Sequence, residues 1–118
     1  MYLRFQGRVP NLGTASMLGI FPLAIELRDR HDAPDYIANE LNRHLSWFNA
    51  HLDAPEILDD DTHYRAICWF KPSARAPLQR IWSMKALLQE FGYPIDLIKA
   101  SSPGRIIYED DWQVVAKP

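Results

Sequence analysis

The sequence contains only one cysteine, and this scarcity bears on both the fold and the compartment. Cys68 cannot form a disulfide bond within the chain. It lies in the most hydrophobic segment, so its thiol is expected to be buried in the core and unreactive. A chain without disulfide bonds fits a reducing compartment, and the cytoplasm is the expected location.

The sequence has neither a large excess of one charge sign nor a long hydrophobic run. The formal net charge of −2 is too close to neutral to predict nucleic-acid binding across the surface. The mostly apolar stretch from Ala15 to Ile25 is too short to span a bilayer. It contains Pro22 and lacks the small-residue cleavage pattern of a signal peptide, so it is expected to form a helix on the sheet. The sequence therefore predicts neither a nucleic-acid partner nor a membrane partner.

Motifs for several chemistries are also missing. There is no Gly-x-Ser-x-Gly nucleophile elbow and no glycine-rich phosphate loop. His44 and His51 are seven residues apart, whereas zinc sites on helices usually place two histidines four apart, so both are expected at the surface. The acidic run 59–61 lacks the alternation and glycine of a calcium loop. We expect no catalytic residue, no metal and no cofactor, and a binding protein is favoured over an enzyme.

What the sequence does have is a short, fully apolar segment from Ala66 to Phe70, bounded by Arg65 and Lys71. A strand with apolar side chains on both faces belongs in the middle of a covered sheet. A buried helix segment could give the same pattern. The short length favours a strand, and so does Pro72, because the residue before a proline prefers extended geometry. We predict that this segment is the central strand, with Trp69 in the core.

The remaining apolar patterns and turn signals predict one α+β domain over residues 1–118, with the element order βααβαβββ. The strands are expected to form a mixed sheet of four to five members, ending in a C-terminal hairpin. A right-handed crossover through a helix would make residues 94–99 parallel to residues 66–71. The predicted strands are, in chain order, Tyr2 to Val9, Ala66 to Phe70, Pro94 to Ile98, Arg105 to Tyr108 and Gln113 to Ala116.

Three helices are predicted from apolar side chains spaced three and four residues apart. They are expected to span Leu18 or Pro22 to Arg30, Asp35 to Leu52, and a segment from Ser73 to Phe91. Asp32 and Ser73 are expected to cap the second and third helices, because short polar side chains accept hydrogen bonds from free N–H groups. Gly92 is the expected end of the third helix, and Trp82, beside its apolar stripe, is expected in the core.

Three segments together resemble a family of small uncharacterised bacterial proteins. They are Trp47-Phe48-Asn49, Trp69-Phe70-Lys71 and the ending from Pro103 to Ala116, which contains Pro-Gly-Arg-Ile-Ile-Tyr-Glu-Asp and Gln-Val-Val-Ala. The resemblance covers about residues 18–117. It implies a bacterial single-domain protein. It carries over no catalytic residue, because the family has no established activity.

A candidate anion site lies directly after the central strand. Lys71, Ser73 and Arg75 surround the start of the third helix, where free backbone N–H groups and the helix dipole favour anions. A plain helix start with solvated basic neighbours would show the same residues. This junction is the predicted site if the protein binds a small ligand or acts as an enzyme.

A candidate protein interface involves two tryptophans that lie off the apolar stripes. Trp47 lies beside the stripe of the second helix, and Trp112 lies at the hairpin tip with Glu109, Asp110 and Asp111. Exposed aromatics are enriched at interfaces, and acidic neighbours would suit a basic partner. The alternative is that each ring packs half-buried against its own domain. A homodimer through the same residues is a further possibility.

The sequence therefore favours a non-catalytic protein-binding module, such as an inhibitor or an immunity-type factor. The alternative is a small-ligand, anion-binding or enzymatic domain that uses the Lys71–Arg75 junction. No partner or ligand is identified by the sequence.

Overall fold

The structure, a computed structural model, describes residues 1–10, 17–53 and 66–118. The acidic run 59–61 and His63 lie outside the described residues. The elements are β1 (Tyr2–Gly7), β2 (Leu18–Gly19), α1 (Ile20–Arg28), α2 (Asp35–His51), β3 (Ile67–Phe70), α3 (Arg75–Glu90), β4 (Ile95–Ala100), β5 (Arg105–Glu109) and β6 (Gln113–Lys117). The predicted α+β order is confirmed, with the two-residue strand β2 as an addition.

The six strands form one sheet in which every pair is antiparallel, and not the mixed sheet of four to five strands that was predicted, because β1 lies between β3 and β4 and β2 is an added strand. One edge of β1 pairs with β4 along its whole length, from Tyr2↔Ala100 to Gly7↔Ile95. β1 also pairs with β2 and, through Leu3↔Phe70, with β3. β3 pairs in turn with β6, and β6 forms a hairpin with β5. β3 and β4 run in the same direction because each is antiparallel to β1. The predicted parallel relation therefore holds, although the two strands are not neighbours.

The register of β3 and β6 separates the two faces of the sheet. Cys68 pairs with Val115 and Phe70 with Gln113, so these four side chains share the face on which the helices lie. Phe70 joins Phe5 and the helix side chains in the main core. On the opposite face Trp69 packs with Val114 and Ala116 in a smaller core, as expected for a strand apolar on both sides. The indole Nε1 of Trp69 is buried there without a hydrogen-bond partner.

The second helix agrees best with the prediction. Ile37, Leu41, Leu45 and Phe48 form its buried face, as the apolar spacing indicates. α3 ends at Glu90, and Gly92 follows with φ +84°, as expected of a glycine after a helix. No helix in the described ranges is both long and apolar enough to cross a bilayer.

Both predicted caps are wrong, because backbone turns and an ion pair replace them. Pro34 is the N-cap of α2, and the Asp32 carboxylate pairs instead with Arg30 at 2.7 Å. Ala74 is the N-cap of α3 and has no side-chain cap. The N–H of Arg75 donates to the carbonyl of Ser73 at 2.9 Å, so the helix begins after a tight turn.

Two predictions of burial are also wrong. Cys68 is exposed, because its stretch of β3 lies beside a cavity and not under a helix. Trp82 is 47% exposed, because the buried stripe of α3 runs through its neighbour Ile81. The Trp82 ring lies at the margin of the core, edge-to-face with Phe5 at a centroid distance of 5.2 Å.

Strands β1 and β4 approach so closely that only glycine fits at position 7. A Cβ atom there would collide with the Pro94 carbonyl oxygen and lie 2.7 Å from Cδ1 of Ile95. The main pairing of the sheet, between β1 and β4, therefore depends on the absence of a side chain at Gly7.

We expect Gly7→Ala to lower the free energy of unfolding by about 1–3 kcal/mol or more, the usual cost of overpacking. Gly19→Ala is the matched control, because its Cβ would lie 3.8 Å from the nearest atom, Cδ of Pro22, and its φ is −67°. We expect this control to change the stability by less than about 1 kcal/mol. Urea denaturation measures both values, and equal effects would contradict the close approach.

Candidate functional site

The sheet opens between β1 and β3, and a cavity of about 450 Å³ lies at this opening. The two strands share only Leu3↔Phe70, and β1 continues away from β3 to pair with β2 at Gln6↔Gly19. The volume falls in the range of about 300–1,000 Å³ that is common for small-molecule sites. The cavity is bounded by the sheet, by α1 and by the C-terminal half of α2.

The walls of the cavity are mainly apolar. Phe21 of α1 and Phe48 of α2 contact each other edge-to-face, with a centroid distance of 4.9 Å. This contact forms part of the packing between the two helices. The other apolar lining residues are Phe5, Ile20, Ile25, Leu45, Leu52, Ile67 and Phe70. The site is therefore suited to the apolar part of a ligand.

Two polar groups in the lining hold the wall together. The Gln113 side chain donates from Nε2 to the carbonyl of Asp53 at 2.7 Å, which joins β6 to the end of α2. Arg28 is engaged by the Asp29 carboxylate at 2.8 Å and by Asn42 at 3.4 Å. These contacts satisfy much of the polar lining within the protein.

Arg4 is the exception. Arg4 is half-buried and is among the residues that line the cavity, and no carboxylate of the described residues lies within ion-pair distance of it. Its guanidinium contacts the ring of Trp69, at 5.9 Å from the ring centroid, so the charged group lies on the far side of the opening between β1 and β3. A half-buried cation without a neutralising partner attracts an anion, and arginine binds carboxylates through two parallel hydrogen bonds.

Cys68 also lines the cavity, and it lies close enough to Arg4 for the positive charge of the guanidinium to act on the ionisation of the thiol. Although the side chain reaches solvent, the surrounding protein desolvates the thiol and raises its pKa, while Arg4 opposes the shift. The thiol is therefore accessible but stays protonated at neutral pH. The sequence predicted the low reactivity and attributed it to complete burial, which is not observed.

One of the three residues of the predicted anion site forms an ion pair with the hairpin. The Nζ atom of Lys71 lies 2.6 Å from the Glu109 carboxylate, and this hydrogen bond raises the pKa of Lys71. Ser73 and Arg75 are exposed, and the first turn of α3 contains no acidic residue. Lys71 thus joins one predicted site to the other, and anion binding at Ser73 and Arg75 remains a prediction.

The two predicted interface tryptophans lie against each other. Trp47 and Trp112 stack with a centroid distance of 5.6 Å and an interplanar angle of 24°, and each is half-buried. Trp47 also stacks on His51 at 4.5 Å, and the Arg80 guanidinium lies 4.8 Å from its ring. This cluster fixes the hairpin against α2.

The three acidic residues of the hairpin tip differ in their contacts. Asp110 accepts hydrogen bonds from the backbone of Trp112 and Gln113 and from the Tyr108 hydroxyl, each at 2.9 Å. Burial opposes ionisation of Asp110, but these hydrogen bonds together hold its pKa below the usual value. Asp110 therefore shapes the turn, Glu109 binds Lys71, and Asp111 remains exposed.

Sequence reasoning missed the importance of His44. It is only 5% exposed, so the prediction of a surface histidine is wrong. Arg80 donates to its Nδ1 at 3.3 Å, and the Glu40 carboxylate lies 4.0 Å from its Nε2. The signal was present, because His44 lies three residues after Leu41 and beside Leu45 on the buried stripe.

Comparisons with known proteins do not assign the site. No protein-family model, no curated protein and no solved structure matches the chain. Among residues 1–10, 17–53 and 66–118, no group of three or more histidine, cysteine or acidic side chains is placed to hold a metal ion.

We expect Cys68 of the folded protein to react with iodoacetamide without denaturant, because its side chain reaches solvent. Since burial raises the thiol pKa, the rate should increase mainly as the pH rises above about 8.5, the usual value for cysteine. The unfolded protein, with an ordinary pKa, should react at lower pH. Mass spectrometry measures the modified fraction. Reaction that occurs only after unfolding would show that Cys68 is buried.

Proposed function

We propose that this protein binds a small amphipathic anion, with the apolar part in the cavity and the acidic group against Arg4. The observation that carries the proposal is the half-buried Arg4, which lines an apolar cavity without a carboxylate partner among the described residues. A ligand carboxylate pairs with the Arg4 guanidinium, and its apolar chain contacts the aromatic walls.

Energetic considerations support this class of ligand. Burial of apolar area contributes about 25 cal/mol per Å², so an aliphatic or aromatic body accounts for most of the affinity. A hydrogen bond to a charged group adds about 1.5–3 kcal/mol and sets the orientation. We propose binding and not catalysis; burial raises the pKa of Cys68, which disfavours its thiolate, the nucleophilic form, at neutral pH.

Octanoate and 1-octanol test the proposal, because the two have the same chain and differ in charge. We expect octanoate to raise the melting temperature, because a ligand that binds only the folded state stabilises it. Arg4→Gln should weaken octanoate binding about tenfold or more, the equivalent of about 1.5 kcal/mol, with little effect on octanol. Calorimetric titration measures the affinities.

The matched control is Arg8→Gln, which removes the same charge from an exposed arginine that does not line the cavity. It should bind octanoate like the wild type. Equal affinity for octanoate and octanol, or equal losses in the two variants, would overturn the role of Arg4.

A protein-binding module, such as an inhibitor or immunity-type factor, is the second candidate. The stacked Trp47 and Trp112 are only half-buried, and the exposed Asp111 lies beside Trp112. An aromatic surface with an adjacent carboxylate suits a basic partner, or a second copy of the chain. The cytoplasm of a bacterium is the location that we propose, in agreement with the free thiol of Cys68 and the family resemblance.

For this second candidate we expect Trp112→Ala to weaken binding to a partner protein by about 2 kcal/mol or more. Asp111→Lys should mainly slow association, because a rim charge steers the encounter. Asp96→Lys is the control, since it makes the same charge change at an exposed position of β4. Surface plasmon resonance against a partner isolated with the wild-type chain measures both rates. Equal effects of the two lysine variants would exclude the hairpin surface.

A further inference from the structure

A continuous series of contacts connects the buried His44 to the hairpin. Arg80 of α3 donates to Nδ1 of His44 at 3.3 Å, and its guanidinium lies 4.8 Å from the centroid of Trp47. Trp47 stacks on Trp112 at 5.6 Å. The carbonyl of Trp112 in turn accepts a hydrogen bond from the backbone of Lys71 at 2.8 Å. One arginine therefore contacts both a titratable ring and the aromatic stack.

The arrangement requires a neutral His44. An arginine can only donate hydrogen bonds, so Nδ1 must be the accepting nitrogen and Nε2 carries the ring proton. Nε2 faces Glu40, with 4.0 Å between the nearest atoms. Protonation of Nδ1 would remove the acceptor and place a positive charge 3.3 Å from the guanidinium.

We propose that His44 is a pH sensor: its protonation displaces Arg80 and loosens the Trp47–Trp112 stack that holds the β5–β6 hairpin against α2. The device works because Arg80 has two partners. Repulsion from the histidine moves the guanidinium, and the cation–π contact with Trp47 is lost with it. The proposal does not depend on a ligand in the cavity.

The charges around His44 come from the two helices that enclose it. α2 provides Glu40 and Arg43, and α3 provides Arg80 and Glu90, which lines the same small cavity as the imidazole. Burial lowers the pKa of His44, Arg43 and Arg80 lower it further, and Glu40 opposes them. Burial and the two arginines together therefore outweigh the carboxylate.

The direction of the pH effect follows from this lowered pKa. His44 binds a proton more weakly in the folded than in the unfolded state, where its pKa is about 6.5. Its contribution to stability is thus complete above about pH 6.5 and is lost as the pH falls to the folded-state pKa. The loosening of the Trp47–Trp112 stack is expected in the same interval.

Incorporation of 5-fluorotryptophan tests the proposal by ¹⁹F NMR, because the chain has four tryptophans and single Trp→Phe variants assign their signals. As the pH is lowered from 8 to 5, we expect the Trp47 and Trp112 signals to move with one midpoint. The signals of Trp69 and Trp82 should stay in place, since neither ring contacts the cluster in the described contacts.

Three variants separate His44 from other causes. His51→Gln is the matched control, because it removes the other imidazole of the cluster, which stacks directly on Trp47; the movement of Trp112 should persist in it. His44→Gln should abolish that movement. Arg80→Met should leave Trp112 in its low-pH position at every pH, which keeps the test valid if His44→Gln does not fold. Loss of the movement in His51→Gln, or its persistence in His44→Gln or Arg80→Met, would overturn the proposal.

Discussion

The weak connection between β1 and β3 is the constraint on which the candidate site depends. β1 forms six residue pairs with β4, and β3 forms four with β6, but β1 and β3 share only Leu3↔Phe70. The sheet consists of two well-paired parts joined at one point. Phe5 and Phe70, one from each part, pack in the same core and hold the two together. The opening between them places Arg4 and Cys68 in the wall of a cavity.

The element order could be predicted from the sequence because it depends on local patterns. The apolar spacing of α2, the glycine after α3 and the run from Ala66 to Phe70 each specify a conformation within a few residues. The exposure of Cys68 could not be predicted in this way. An apolar strand shows that both faces suit a core, but which neighbour covers each residue depends on the register of distant strands.

The candidate sites were predictable only in part, because their contacts join residues far apart in the sequence. Lys71 was assigned to an anion site and Glu109 to an interface, whereas the structure pairs the two side chains. Trp47 and Trp112 were each recognised as unusual, yet their stacking depends on how the hairpin lies on α2. His44 differs from these cases, since its place on the apolar stripe was visible in the sequence.

The pairing of β1 with β4 also constrains the order in which the chain folds. It joins residues 2–7 to residues 95–100, and loop closure over such a separation must precede any gain from the contacts. The helices and the β5–β6 hairpin form from near neighbours, but β1 cannot pair with β4 until residues 95–100 have been synthesised. Proteins dominated by such distant contacts fold slowly. The apolar side chains of β1 therefore lack their β4 partner until residues 95–100 have been made, and we expect this pairing to form after the local elements.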